Sequence, residues 1–224
     1  MAGEMDHPPS ALTRLPPLTA GNLALALLGL PLFVVLLEVT STDVQTTTTI
    51  GVYWALALLV VGIAVRGEAL SVADLGFRRP TLVDFGYLFA TSIGILLVYT
   101  TTPPLIETLG LPVSEGTTAV GAGVGIGLAL FQSVTIGVVE EVLFRGYPIE
   151  RLLAYTDSSL VAGGATWLVF TAAHAMNWPL GSLLQTSLVA AVLTVVYLRR
   201  RTLVPVVGAH VLVWVFATLG QFYG

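Results

Sequence analysis

Between residues 23 and 222 the chain is divided into seven apolar stretches, each near the length of a helix that crosses a bilayer. They run over 23–39, 50–65, 82–102, 118–146, 159–177, 180–198 and 203–222. A hydrocarbon core about 30 Å thick takes about 20 mostly apolar residues of helix to cross. Inside it no water satisfies backbone N–H and C=O groups, so a spanning segment must close its own hydrogen bonds. The expected fold class is therefore all-α, a polytopic transmembrane helical bundle of about seven spans. Splitting the long fourth stretch would make eight. Composition agrees: only 10% of the 224 residues are charged and the mean hydropathy is +0.90. Soluble domains carry about 25% charged residues.

Residues 1–22 are polar and proline-rich and read as a disordered cytoplasmic tail. No A-x-A-like cleavage site follows the first apolar run, which argues against a secretory signal. Residues 23–224 read as one transmembrane domain, since neither a repeat nor a long linker divides them. The absence of cysteine excludes disulfides, thiolate metal sites and a thiol nucleophile. The net charge is −4 and the basic cluster is Arg199-Arg200-Arg201, a pattern that points away from nucleic acid and leaves membrane lipid as the expected partner. The oligomeric state is not legible. Arginines favour cytoplasmic loops. Arg14, then Arg66, Arg78 and Arg79, then Arg151, then Arg199 to Arg201 mark alternate connections, and the other connections lack arginine. This places the N-terminus in the cytoplasm and the chain in the cell membrane.

Residues 137–147, GVVEEVLFRGY, put three charges into an apolar stretch. Each costs about 2.5–3.5 kcal/mol at the bilayer centre, so such groups usually face one another or a wet cavity. Snorkelling to the interface is the alternative. Glu141 and Arg145 are four apart and share a helix face, which suits an ion pair. Glu140 points about 100° away and is left free for chemistry. Beyond His7 in the tail, the histidines are His174 and His210, each on a different apolar stretch. A glutamate and two histidines from three helices suggest one polar site. Two chemistries fit it. Glu140 could act as a general base on a water that His174 also holds, with His210 donating to the oxyanion. Alternatively, Glu140, His174 and His210 could ligate zinc and so acidify its water.

Four local expectations complete the reading. Pro148 should disturb the fourth helix, because it lacks a donor and crowds the preceding turn. The short connection NWPLG, residues 177–181, suggests a hairpin that turns beside a cavity within the membrane. Small residues at 121–129 and 163–165 should bring the fourth and fifth helices together. His174 lies about 15 residues from the inner end of its stretch and His210 about 7, an offset of about 12 Å in depth.

These residues resemble the CAAX prenyl protease and bacteriocin-processing (CPBP, Abi) family of intramembrane proteases. The first motif, EExxxR, is similar to Glu140-Glu141-Val-Leu-Phe-Arg145, with Gly146 following. The second, FxxxH, matches Phe170 to His174. The third, HxxxN, is met at His210 but carries Trp214 in place of its asparagine. LGFRRP at 75–80 loosely resembles a segment upstream of that core, which is expected over about 118–222. The resemblance implies a membrane endopeptidase acting on a peptide or lipidated-protein substrate, prenylated CAAX proteins among them. It assigns water activation to Glu140 and His174 and oxyanion stabilisation to His210. Glu141, Arg145, Phe170 and Trp214 become supporting residues. No cofactor is required on this reading, with Zn2+ on Glu140, His174 and His210 as the alternative. An indole donates one hydrogen bond and accepts none, so Trp214 cannot copy an asparagine amide. Asn177 and Gln185 are candidate substitutes. Trp214 also supports the alternative of a catalytically impaired member acting as a membrane scaffold or chaperone. A transporter ranks third, because the outer halves of the helices hold few polar groups.

Overall fold

Deprived of water, the long apolar stretches close their hydrogen bonds along their own backbones. The structure is a computed structural model that describes residues 15–113 and 123–223. Among the described residues it is helical, with no strand. The helices are α1 (Pro17–Thr40), α2 (Thr46–Arg66), α3 (Leu82–Thr101), α4 (Pro103–Thr108), α5 (Ile126–Glu141), α6 (Tyr147–Thr156), α7 (Ser159–His174), α8 (Leu180–Arg200) and α9 (Leu203–Tyr223). A 3₁₀ turn covers Val72–Leu75, and a π turn, Val142–Gly146, joins α5 to α6.

Each of the seven expected stretches holds a helix. Six helical units are long and apolar enough to cross a membrane: α1, α2, α3 with α4, α5 through α6, α8 and α9. The fourth stretch is not split, since helix runs on from Ile126 to Thr156. Helix α7 has 16 residues, a rise of about 24 Å, shorter than the hydrocarbon core. It stops at His174 rather than residue 177.

The first helix starts at Pro17, inside the segment expected to be a disordered tail. Proline suits a first helical turn, where its missing N–H would have no partner. Thr19 and Asn22 are buried there, and both donate to the Glu68 carboxylate, at 3.0 and 2.9 Å. The Tyr147 hydroxyl donates to the same group at 2.6 Å. One carboxylate thus fastens the start of α1 and the start of α6 to the connection after α2. Residues 1–14, with His7 and Arg14, lie outside the described residues, as do 114–122.

The disturbance expected at Pro148 takes the form of the π turn. Proline offers no N–H to the carbonyl four residues back. The Tyr147 N–H reaches the Val142 carbonyl instead, five residues back, so the ladder shifts by one residue just ahead of the proline.

The expected contact between the fourth and fifth helices is made by the π turn and α6, with Phe144 and Arg145 on Phe170. Helix α5 packs chiefly on α9, and α7 packs on α8, α6 and the π turn. At Gly137 a Cβ would lie 2.6 Å from Val211 Cγ2 and 2.9 Å from the Val211 backbone nitrogen. Gly163 does lie at a close contact, but with Leu198 and Thr194 of α8. Gly125 and Gly127 face open space. Gly125 and Gly127, at the start of α5, therefore have no neighbour to receive them, while Gly137, near its end, lets α9 approach. That approach sets Glu141 beside His210.

At the arginine-bearing ends, Arg200 pairs with the buried Asp84 at 2.8 Å. Arg201 pairs with the buried Glu150, which also accepts from the Tyr197 hydroxyl at 3.0 Å. These bonds tie α3 and α6 to the end of α8.

Gly137→Ala tests the α5–α9 contact. Forcing a methyl into a packed interface costs about 1–3 kcal/mol. The variant should unfold at a lower temperature in detergent, whereas Gly127→Ala, which meets nothing, should match the parent.

Candidate active site

Helix spacing puts Glu141 and Arg145 on one face, and the expected ion pair is present. Arg145 Nη1 donates to Glu141 Oε1 at 2.8 Å, with Glu141 0% and Arg145 1% exposed. At that burial neither charge could stand alone. The pair has a third member, which the spacing does not indicate: His210 Nδ1 lies 2.8 Å from the same Oε1. The two residues are 69 positions apart and meet only because Gly137 lets α9 close on α5.

Arg145 also reaches α7 and α8. Its Nη2 donates to the Ala190 carbonyl at 3.4 Å. Its guanidinium sits 4.3 Å from the centroid of the Phe170 ring, a cation–π arrangement. Phe170 meets Phe144 edge-on at 5.0 Å and His174 at 4.4 Å between centroids. Phe170 is therefore the wedge between the buried ion pair and the His174 ring.

Local bonds fix the tautomers of both histidines. His174 Nδ1 lies 2.8 Å from the Phe170 carbonyl. A carbonyl only accepts, so Nδ1 carries a proton, and in the neutral ring Nε2 keeps the lone pair. At His210 the Trp214 Nε1–H donates to Nε2 at 3.0 Å. An indole only donates, so this ring is neutral, with its proton on Nδ1 facing Glu141. His210 thus accepts at Nε2 and donates from Nδ1 to Glu141.

Glu140 differs from its neighbour. It is buried, and among the described residues no side chain hydrogen-bonds to its carboxylate. It lines two cavities, of about 410 and 350 Å³. The larger also touches His174, His210, Trp178 and Trp214, and its apolar wall includes Ile95 and Leu193. The smaller touches His174, Trp178 and Trp214 again, with Tyr53 and Gln132 opposite. Glu140, His174 and His210 therefore face one hollow. The depth offset between the histidines assumed that their helices start level. Both histidines line the larger cavity despite that expected offset.

The two amides weighed as substitutes for the missing asparagine are both near. Gln185 lines the larger cavity and donates to Thr102 at 2.8 Å. Asn177 lines the smaller. Both His210 ring nitrogens are already engaged, and among the described residues no group of three His, Asp or Glu side chains is arranged to hold a metal ion.

The buried pair makes a graded prediction. Arg145→Met leaves Glu141 charged and partly unpaired in a dry site, a loss of about 3–5 kcal/mol. The double variant Glu141→Leu/Arg145→Met should recover part of that loss, measured by thermal unfolding in detergent. A double-variant loss equal to the sum of the two single-variant losses would show that the charges act independently.

No curated protein and no solved structure matches the chain. Residues 122–216 match the family described as type II CAAX prenyl endopeptidase Rce1-like. That stretch runs from just ahead of α5 to within α9 and contains Glu140, Glu141, Arg145, Phe170, His174, His210 and Trp214. A chain with these membrane-length helices is an integral membrane protein, and over residues 122–216 it is similar to the type II CAAX prenyl endopeptidase Rce1-like family.

Proposed function

We propose that the protein is an intramembrane endopeptidase that hydrolyses a peptide bond of a membrane-associated substrate, a prenylated CAAX-type protein among the candidates. The carrying observation is a contrast: Glu141 Oε1 is bonded to both Arg145 and His210, while among the described residues no side chain hydrogen-bonds to the Glu140 carboxylate or to His174 Nε2, and these two residues line one cavity. A water held between them would give a proton to Glu140 and present its oxygen to the substrate carbonyl carbon. The hydroxide adds, and the carbonyl oxygen becomes an oxyanion. Collapse of that intermediate breaks the C–N bond, and Glu140 returns the proton to the departing amine. His174 orients the water by accepting its second hydrogen bond. The balance closes with one water consumed and no metal. The engagement of both His210 nitrogens supports the metal-free reading.

The family match supports a peptidase. The apolar wall around the larger cavity supports a substrate delivered from lipid. We also propose the cell membrane as the site, with the N-terminus in the cytoplasm. The gathering of Arg200 and Arg201 with Asp84 and Glu150 at one end of the bundle supports that orientation.

Glu140→Gln and His174→Ala test the reading on protein purified in detergent with a panel of lipid-anchored peptides. Each should lower turnover by about 10²–10⁴-fold, the range expected for loss of a positioned acid–base group, with the unfolding temperature held near that of the parent. Cleavage at the parental rate by either variant would remove that residue from the chemistry. A parent that cleaves no member of the panel would favour the scaffold reading.

A further inference from the structure

Two cavities meet at the same four side chains. Glu140, His174, Trp178 and Trp214 line both. The larger extends among α3, α8 and α9, past Ile95, Val189, Leu193 and Val213. The smaller extends among α1, α2 and α5, past Leu30, Tyr53, Gln132 and Ile136. A peptide hydrolysed within its chain has residues on both sides of the broken bond. Two cavities that share Glu140 and His174 offer a place for each side.

Of the four shared residues, Glu140 and His174 carry the proposed chemistry, which leaves the two indoles to form the partition. Trp214 is held by one polar contact, its N–H on His210 Nε2 at 3.0 Å, and it is only half-buried. A single hydrogen bond contributes modestly to stability, so this closure is weak enough for a ligand to open. The bond joins residues four apart on one helix, and a side-chain rotation breaks it without moving α9.

We propose that Trp214 is a latch dividing one substrate channel into two chambers, and that a peptide crossing the site displaces its indole from His210. The inference rests on the protease reading for what the channel carries. Trp214 then becomes a positioning and specificity-determining residue: its ring limits what can pass beside Glu140, and its release uncovers His210 Nε2 in the larger chamber. The same bond accounts for the departure from the HxxxN pattern, since a tryptophan there can both fill the gap and cap the histidine.

The lack of cysteine in the chain makes a direct test available. A single cysteine is placed in the smaller chamber by Ile136→Cys, and its labelling is timed with a maleimide on a long alkyl chain, a probe that enters from the apolar side. Trp214→Phe keeps a ring and removes the N–H. It should speed labelling about two- to tenfold, the range one net hydrogen bond supplies. Trp214→Ala should speed it further. Equal rates in all three backgrounds would overturn the latch, and the phenylalanine variant keeps the test open should the alanine variant fold poorly. Labelling needs no turnover, so a parent that cleaves no lipid-anchored peptide would fail the protease reading on separate grounds. With a cleaved peptide in hand, Trp214→Phe should also lower KM for substrates bulky beside the cleaved bond more than for small ones. A uniform change in kcat alone would speak against a gate.

Discussion

A fully buried carboxylate must be answered by hydrogen-bond donors, and Glu141 organises this bundle through that requirement. Its Oε1 receives Arg145 from the π turn and His210 from α9. Arg145 in turn reaches the Ala190 carbonyl on α8 and covers Phe170 on α7. Helices far apart in sequence are thereby held to one buried oxygen. Such a group need not add net stability, because desolvation can offset the attraction. Its effect is on uniqueness. In lipid, apolar faces pack with little preference for one partner over another, and a charge that needs these particular donors rejects the other packings.

The π turn serves the same end. It inserts its extra residue directly after Glu141 and carries Arg145 within it. Gly146 closes the turn, and a Cβ there would lie 2.8 Å from the Leu75 carbonyl oxygen. The Tyr197 hydroxyl donates to the Gly146 carbonyl at 3.3 Å. The helix is therefore wide where the 3₁₀ segment and α8 press against it. Single-turn π segments are frequent at functional sites for this reason: they re-aim side chains without breaking the helix. Pro148, just beyond, removes the donor that would have restored ordinary α pairing.

How much of this could be read from the residues depends on range. The helices were legible because hydrocarbon thickness and backbone satisfaction act on each stretch separately. The Glu141–Arg145 pair was legible because spacing of four is a property of one helix. Which helix packs on which was not. Helices that are apolar all round present no preferred face to a periodicity argument, so the glycines at 121–129 looked as suitable for contact as Gly137. Only the neighbour, Val211, distinguishes them. The start of α1 was hidden for a related reason. Thr19 and Asn22 look like tail residues until Glu68 is seen to receive them. Trp214 was legible as a departure from a motif, but its bond to His210 needed the rotamers of both rings.

The site then reads as two matched contrasts. Glu140 and Glu141 are adjacent and chemically identical, yet Glu141 Oε1 receives two donors and the Glu140 carboxylate receives none among the described side chains. His174 and His210 repeat the pattern. Each has its proton fixed on Nδ1, but only at His174 does Nε2 stay open. Assigning acid–base roles by finding like groups in unlike environments is a general procedure, and here both contrasts select the same two atoms, the Glu140 carboxylate and the His174 Nε2. Helix geometry accounts for the first contrast: a step of about 100° turns one glutamate to the arginine and the other to the cavity. A side chain accounts for the second: the Trp214 indole occupies the nitrogen that would otherwise make His210 equivalent to His174. The proposed reactive pair is thus set by which polar groups are already engaged, and Glu141 and Arg145, among the engaged ones, join helices of the bundle.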